Sequence, residues 1–496
     1  MTRRLVLAAA AVLGASGCMM GPRYVATPVI SPDQQVGAPR LSDSSRHFFD
    51  SLAVERRRDS VRAIAAAVPR HTLDAQDLTG VAWQQIIGDS TLVDLVDRAL
   101  RDNRDLQVAA ARVREYRANI GIARGPLLPS VAVNASESSN QIALGAIPPT
   151  AYRAARFTGD LAWELDFWGH IRRGVEAANA DWQAEDAARR AVVLSLVGDV
   201  TTSYLQLLEL DQERAIAERT LSSRRATLEI ARQRFSQGLT SELDVRQFEA
   251  QVAEPAVTLA QTERARAETE HNLNVLLGEA PTTIQRGTSL AGAVRTLTVP
   301  DSIPAALLAR RPDVQEAERS YAASVARIGV ADAARWPTIS IVGSYGTQAG
   351  VPSNLFGSQT NVYQAQIGLS FPLFDNARLA NVSAAARARA DEDRAAYQGV
   401  ALNALREATD ALTAVRTARD QAVAQATQAN ALRAALDLAT LRYEAGLASY
   451  LDLLDAQRSL FSAELALSQA QLGELTAAVQ LYKALGGTWP ATPVAG

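Results

Sequence analysis

Two stretches of the chain alternate apolar and polar residues with a period of two. In 156–166 and again in 363–371 the odd positions are mostly apolar and the even positions mostly polar. Alternation over about ten residues is typical of a transmembrane β-strand, although a soluble sheet with one polar face has the same pattern. The other predicted strands are 130–140 and 338–346, and the loops that join the pairs are 141–153 and 347–361.

Between the strands, apolar residues recur at helical spacing over very long distances. The predicted helices are 103–124, 169–237 and 242–277 in the first half of the chain, and 312–335, 377–445 and 450–485 in the second. The longest of them would extend for about 100 Å at 1.5 Å per residue. Helices of this length indicate a coiled coil or a tube rather than a compact core. Pro255 interrupts one helix, where we expect a kink.

The two halves are copies of each other at a fixed offset of 208 positions, which separates Gly238 from Gly446. Pairs that keep the offset include Asp105 and Asp313, Gly121 and Gly329, Pro129 and Pro337, Trp163 and Phe371, and Gly278 and Gly486. The correspondence holds without a gap from about 102 to 278 of the first copy. The sequence therefore predicts an internal duplication, with a first repeat at 83–290, a second at 291–487 and a tail at 488–496.

Two nearly identical turns end the long helices. They read Gly238-Leu239-Thr240-Ser241 and Gly446-Leu447-Ala448-Ser449. Each glycine stands where a helix must stop in the left-handed conformation, and each serine is a predicted N-cap of the next helix. Acidic residues follow in the first turn of that helix, where the helix dipole favours negative charge. Each turn is therefore a predicted tip of a helical hairpin.

The N-terminus has the pattern of an exported protein. Residues 1–17 combine a short basic start with an apolar run too short to span a membrane, so they predict a signal peptide. Small residues precede Cys18, the only cysteine, which predicts lipidation of that residue; a plain signal peptide is the alternative. Residues 18–82 are predicted to be an extended, lipidated segment. The single cysteine excludes a disulfide framework.

Four strands cannot close a barrel. An open sheet in a bilayer would leave backbone groups unpaired in hydrocarbon, and small outer-membrane barrels begin at about eight strands. The chain must therefore oligomerise if its strands cross a membrane. A dimer would give a filled barrel of eight strands, and a trimer would give a barrel of twelve strands with a lumen.

The chain resembles the TolC/OprM family of outer-membrane efflux channels, and in particular its OprM-type (NodT-like) lipoproteins. The resemblance rests on the segments at 83–89, 163–169, 454–461 and 481–489 and covers about 83 to 489. It implies a mainly α fold with a transmembrane β part: a homotrimer with a twelve-stranded β-barrel in the outer membrane, continued by a twelve-helix α-barrel in the periplasm. It also implies a drug exit duct that works with a periplasmic adaptor (membrane fusion) protein and an inner-membrane RND-type pump.

The resemblance also assigns a periplasmic gate. Leu451, Asp452 and Asp455 match constriction residues, and Tyr443 with Asp244 matches part of the latch that holds the tube closed. In a trimer the two aspartates of the constriction would place six carboxylates near the axis, which would raise some of their pKa values and attract multivalent cations. The alternative is that these acids only favour the helix dipole.

One departure concerns the latch. Ala448 stands where TolC carries an arginine, so we expect an apolar ring of Leu451 to contribute more to closure.

The two turns are the expected docking surface for the adaptor, with a purely structural role as the alternative. Neither catalysis nor nucleic-acid binding is predicted, since the net charge is −3 and the four histidines are scattered at 47, 71, 170 and 271, with no metal cluster. No cofactor is expected apart from the lipid on Cys18. Two further alternatives are a type I protein-secretion duct and a structural coiled-coil lipoprotein without a channel.

Overall fold

A computed structural model describes residues 19–26, 29, 35–37, 89–144, 147–293 and 302–487. The predicted signal peptide, Cys18 and the C-terminal tail lie outside these residues. The chain forms two compact units. The first contains the described residues of 1–27, 110–188 and 315–400, and the second contains those of 28–109, 189–314 and 401–496.

Long helices dominate the described chain. The helices are α1 Ser90–Asp102, α2 Arg104–Arg124, α3 His170–Ser236, α4 Glu242–Leu276, α5 Leu290–Ala293, α6 Pro312–Ala333, α7 Asn376–Glu444 and α8 Tyr450–Ala484. The strands are β1 Gln35–Gly37, β2 Ser130–Leu144, β3 Ile147–Leu165, β4 Ser302–Pro304, β5 Thr338–Ala349 and β6 Asn361–Ser370. The two longest helices, α3 and α7, have 67 and 69 residues, which confirms the predicted pair of uninterrupted helices.

The first unit contains a four-stranded sheet. Its strand order is β2-β3-β5-β6, and every neighbouring pair is antiparallel. Strands β2 and β6 are the two edges, and within the described residues each of them pairs on one side only. Strands β1 and β4 form a separate two-stranded sheet.

The register of the sheet places the apolar odd positions on one face. Leu161 lies opposite Val131 on one side and Gly343 on the other, and Ile341 lies opposite Trp163 and Ile367. This face is exposed within the chain: Tyr363 and Ile367 are 84% and 76% accessible. The sheet therefore presents an apolar surface that the described part of its own chain leaves open, as a lipid-facing surface requires.

The other face carries the polar even positions. Asp160 lies opposite Ala132 and Ser344, and its carboxylate accepts a hydrogen bond from the Asn134 side chain at 2.6 Å. Arg156 donates to the Ser344 hydroxyl at 3.3 Å. The alternation predicted for 156–166 and 363–371 is therefore confirmed, because the pairing places odd positions opposite odd positions and even positions opposite even ones across the sheet.

The predicted loop at 141–153 is wrong. Strands β2 and β3 continue into it, and their pairing extends to Leu144 opposite Ile147, with an irregularity between Ile142 and Leu144. Pro148 and Pro149, which favoured a loop, lie next to this irregularity. Strand β5 pairs with β3 only from Ala155 onwards, so the prolines lie where β3 has no second neighbour among the described strands. Proline is tolerated at such edge positions because no ladder donor is lost on a free side.

The second unit has its main hydrophobic core where α3 packs with α1, α4 and α8. Tyr204 is fully buried there; its hydroxyl donates to Asp89 at 2.6 Å and accepts from the Gly287 amide at 3.0 Å. One 18-residue stretch of α3 has a mean hydropathy of 1.4, high enough for a membrane span, but 56% of that stretch is buried inside the protein. We interpret it as a core segment.

Pro255 does not end α4, which continues from Glu242 to Leu276. A proline within a helix leaves the carbonyl four residues earlier without its donor. That carbonyl belongs to Gln251, and the Arg224 guanidinium of α3 donates to it at 2.7 Å. Arg224 is buried, also pairs with Glu254 at 2.7 Å and lies 5.3 Å from the centre of the Phe461 ring. A neighbouring helix thus supplies the hydrogen bond that proline removes.

The second repeat lacks both partners, since Leu432 and Ala463 stand at the positions that correspond to Arg224 and Pro255. We predict that Arg224→Leu lowers the free energy of unfolding by about 1–3 kcal/mol, because the partly buried Gln251 carbonyl and the Glu254 carboxylate lose a charged donor. Adding Pro255→Ala should recover most of the loss, because alanine has the backbone N–H that proline lacks. Thermal unfolding in detergent measures both variants; equal losses in the single and the double variant would contradict the pairing.

Candidate gate and docking site at the helix tips

Each long helix ends in the same hydrogen-bonded turn. Gly238 and Gly446 both have φ of 72°, the left-handed conformation predicted for them. The amides that follow close the turns: Leu239 donates to the Arg234 carbonyl at 2.9 Å, and Leu447 donates to the Arg442 carbonyl at 2.8 Å. These are the bonds of a Schellman motif, which satisfies carbonyls at a helix end. Both predicted hairpin tips are therefore confirmed as structure.

Reciprocal hydrogen bonds cap the helices that follow the tips. The Ser241 hydroxyl accepts from the Asp244 amide, and the Asp244 carboxylate accepts from the Ser241 amide at 3.1 Å. Ser449 and Asp452 form the same capping box, with 3.0 Å from the Ser449 amide to the carboxylate. The predicted N-caps are confirmed, and the arrangement explains why an acid stands three residues after each serine.

Hydrogen bonds within the tips stabilise the charged form of both acids. Those from the Thr240 and Ser241 side chains hold the pKa of the Asp244 carboxyl below its usual range. The Ser449 side chain and amide do the same for the pKa of Asp452. The pKa rise expected from crowding of carboxylates concerns the trimer; in the single chain, capping acts in the opposite direction.

An aromatic contact joins the two hairpins of one chain near their tips. Phe248 of α4 and Tyr450 of α8 are 4.4 Å apart between ring centres and packed edge to face. Phe248 belongs to a buried cluster with Leu228, Ala231 and Val245. Burial, and then the negative charge of Asp244, raises the pKa of Tyr450 to about 12. The hairpins are therefore held together by packing just above the tips.

The proposed constriction residues share one exposed face of α8. Leu451, Asp452 and Asp455 are exposed, whereas Leu453 and Gln457 are buried on the opposite side. The spacing of three and four residues produces this division. The structure thus places the three candidate residues together, on a surface that the described part of their own chain leaves open.

The predicted latch pair is not joined within the chain. The hydrogen bonds of the Asp244 carboxylate go to Thr240 and Ser241 in its own turn. Tyr443 lies instead under Arg234, whose guanidinium carbon is 5.0 Å from the ring centre. Sequence reasoning missed this partner, because Arg234 lies 209 residues before Tyr443 and only the packing of the hairpins brings them together. A latch between Asp244 and Tyr443 remains a prediction for contacts between subunits.

The tips also expose apolar side chains. Leu239 and Leu447, one residue after each glycine, are 66% and 72% accessible. A Cβ atom built on either tip glycine would meet no described atom within 4 Å. The tips therefore expose apolar side chains, and their glycines are not crowded by the rest of the described chain.

Aromatic residues mark the junction in the first unit where the strands meet the helices. Trp168 stacks on Trp336 at 4.8 Å between ring centres and donates to the Pro337 carbonyl at 2.8 Å. Trp163 donates to the Leu127 carbonyl at 3.1 Å. Phe371 and Phe374 are exposed there, as expected of an interfacial belt. Sequence reasoning missed Trp336, although it stands directly before the repeated Pro337.

Comparison with known proteins identifies the family to which the chain belongs. The profile of the family described as "Outer membrane efflux protein" matches residues 95–279 and 303–487, one match in each repeat. The solvent efflux pump outer membrane protein SrpC of Pseudomonas putida is 34% identical over 436 residues, which cover 86% of this chain and 89% of that protein.

Two solved channels have similar structures. The outer-membrane channel OprN superposes with a TM-score of 0.81 at 30% identity, covering 95% of this chain and 100% of that one. The open state of the Neisseria gonorrhoeae MtrE outer membrane channel gives 0.80 at 27% identity, covering 95% and 98%. The fold is that of the TolC-like channels. The chain belongs to the outer membrane efflux protein family, and its place is the outer membrane.

The capping boxes generate a prediction about pH. We expect Ser449→Ala to speed amide hydrogen exchange in the first turn of α8 several-fold at neutral pH, because an N-cap is lost. In the unchanged protein the contribution of Asp452 is complete above the usual carboxyl pKa of about 3.9 and is lost as pH falls through the lower folded value. Ser241→Ala is the matched change in α4. Exchange in the first turn of α8 that is indifferent to Ser449→Ala would contradict the capping role.

Proposed function

We propose that the protein is a passive exit duct of a tripartite efflux pump and conducts drugs or other small molecules across the outer membrane. The observation that carries this proposal is the four-stranded sheet, with one face apolar and exposed, one face polar, and both edges unpaired among the described residues. Such a sheet is stable in a bilayer only as part of a closed barrel. Membership of the efflux family supports efflux as the use of that barrel.

The proposed assembly is a homotrimer. The first and last strands of the sheet run in opposite directions, so the edge β6 of one copy can pair antiparallel with β2 of the next. Three copies give twelve strands and a lumen lined by the polar face, whereas two would give a barrel whose interior is filled by side chains. A duct needs the lumen.

The proposed partners are a periplasmic adaptor and an inner-membrane RND-type pump. Support comes from the relative SrpC, whose name assigns it to a solvent efflux pump. The exposed leucines at the tips, Leu239 and Leu447, fit a docking surface for apolar side chains of an adaptor. In this arrangement the duct performs no chemistry of its own. The lipid on Cys18 stays part of the proposal as a second attachment to the outer membrane.

The proposed gate is the exposed face of α8. In a trimer, three copies of Leu451 would form an apolar ring beside rings of Asp452 and Asp455, so closure would combine an apolar constriction with charge. Within one chain, protonation of Asp452 would release the capping box only at a pH below the usual carboxyl range. Near neutral pH we therefore propose that multivalent cations, by bridging the carboxylates, favour the closed state. Protonation of Asp452 is less effective there.

We predict that replacing both Asp452 and Asp455 by alanine raises the conductance of the purified channel in planar bilayers and removes any block by multivalent cations. The matched control is Asp94→Ala with Asp97→Ala, which removes two carboxylates at the same spacing from α1. Conductance that responds to neither pair would reject the gate assignment. No conductance at all in the unchanged protein would favour a structural lipoprotein.

The docking role of the tips has its own test. Gly446→Asn should preserve efflux, since asparagine tolerates the left-handed backbone, whereas Gly446→Trp should abolish efflux by covering the docking surface. Drug susceptibility of a deletion strain that carries each variant measures efflux, and native gels measure assembly. Trimers that disappear with Gly446→Trp would show that the tip is structural instead.

A further inference from the structure

The segment Met19–Tyr24 is attached at two points to the rest of the first unit, although it belongs to no helix or strand and half of its residues are exposed. It follows directly after Cys18 in the sequence. Its contacts are made to the start of α3 and to α6, which belong to different repeats. We call this segment the N-terminal strap.

The first attachment point binds the backbone of the strap. The Met20 amide donates to the Trp168 carbonyl at 3.1 Å. The guanidinium of Arg173 donates from Nε to the Met20 carbonyl and from Nη2 to the Gly21 carbonyl, both at 3.0 Å. Arg173 is fully buried, and its Nη1 pairs with Glu176 at 2.8 Å. A buried guanidinium whose fork binds two adjacent carbonyls is a specific arrangement, because hydrogen bonds from charged donors are stronger than neutral ones.

Glycine makes the close approach at this point possible. A Cβ atom on Gly329 of α6 would lie 2.7 Å from the Met20 carbonyl oxygen, and one on Gly21 would lie 2.5 Å from the Gly329 Cα. Gly21 also has φ of 83°, which side chains rarely adopt. The groove at Gly329 therefore admits the strap backbone only while position 329 has no side chain.

The second attachment point binds a side chain. The Tyr24 hydroxyl donates to the Glu318 carboxylate at 2.8 Å, and its ring packs edge to face on Tyr321 at 5.6 Å. Tyr24 also contacts the buried cluster that contains Val325 and Ile328 of α6. Burial, followed by the bond to Glu318, raises the pKa of Tyr24, so the hydroxyl stays protonated as a donor.

Comparison of the two repeats shows that the first attachment point is specific to one position in the fold. The positions that correspond to Arg173 and Gly329 in the other copies are Asn381 and Gly121. A Cβ atom on Gly121 would meet no described atom within 4 Å. Gly329 thus contacts the N-terminal strap, whereas the corresponding Gly121 faces open space. The attachment point therefore does not follow from helix packing alone.

We propose that Trp168, Arg173 and Gly329 form an intramolecular receptor for the N-terminal strap, with Arg173 as the positioning residue. The receptor holds the chain that follows Cys18 at the junction between strands and helices and ties the two repeats together there. It has a consequence for the lipid that rests on the proposed lipidation of Cys18. Because consecutive Cα atoms are about 3.8 Å apart, the attachment point of that lipid would be fixed beside Met19 and not at the end of a free tether.

The receptor can be tested with a label on Cys18, and no other cysteine has to be removed because the chain has only one. A full-length mature protein, exported with a cleavable signal that does not direct lipidation, has a free thiol on Cys18 that accepts a spin label. We expect restricted motion of the label in the unchanged protein. Gly329→Ala and Arg173→Ala should each release it, with about a tenfold or larger rise in the mobile fraction. Arg173→Lys should not restore it, because lysine lacks the fork.

Matched controls separate the receptor from general loosening of the fold. Gly121→Ala and Asn381→Ala make the corresponding changes in the other repeat and should leave the label restricted. Alanine is also a better helix former than glycine, so release by Gly329→Ala cannot come from a weaker α6. A mobile label in the unchanged protein, or equal effects of Gly121→Ala and Gly329→Ala, would overturn the receptor.

The lipid is examined separately by the mass of the N-terminal peptide from the native protein. A peptide that begins at Cys18 and carries a diacylglycerol would establish the lipidation on which the fixed position of the lipid depends. An unmodified peptide would reject lipidation and that consequence, while the label would still decide whether the receptor exists.

Discussion

The need to pair every backbone group of the sheet is the constraint on which the rest of the structure depends. Neighbouring strands of the sheet β2-β3-β5-β6 pair their backbone hydrogen-bonding groups with one another. The outer sides of β2 and β6 have no partner among the described residues of their own chain. In water such edges would be a liability, and in hydrocarbon they would be untenable. The apolar odd face, on which Tyr363 and Ile367 are highly accessible, places the sheet in hydrocarbon. In the proposed assembly, oligomerisation is therefore the condition for insertion, and the lumen is its result.

Duplication gives the chain two copies of each structural element, and the two copies differ in sequence where their surroundings differ. The tips kept the same turn and the same capping box, with φ of 72° at both glycines. Elsewhere the copies differ: Arg224 compensates for Pro255 in the first, whereas Leu432 and Ala463 need no compensation in the second. The proposed receptor for the N-terminal strap includes Gly329, whereas the corresponding Gly121 faces open space.

The features that could be predicted from the sequence are those that local periodicity and turn chemistry determine. The strand alternation, the two longest helices, the left-handed glycines and the serine caps all follow from residues within a few positions of each other. The loop prediction at 141–153 is wrong because the pairing of β2 with β3 outweighs the local effect of Pro148 and Pro149. Contacts such as Arg234 on Tyr443 and Arg173 on the strap join residues far apart in the chain. No periodicity encodes them, so only the folded arrangement reveals them.

The most direct test of the account is amide hydrogen exchange of the detergent-solubilised protein, resolved along the four strands of the sheet. We predict that the edge strands 130–144 and 361–370 are protected as strongly as the interior strands over 157–165 and 339–347, because neighbouring copies would pair with both edges. Rapid exchange confined to the two edge strands would mean that their outer backbone groups face water. The sheet would then belong to an open, unpaired chain, and the closed barrel would be contradicted.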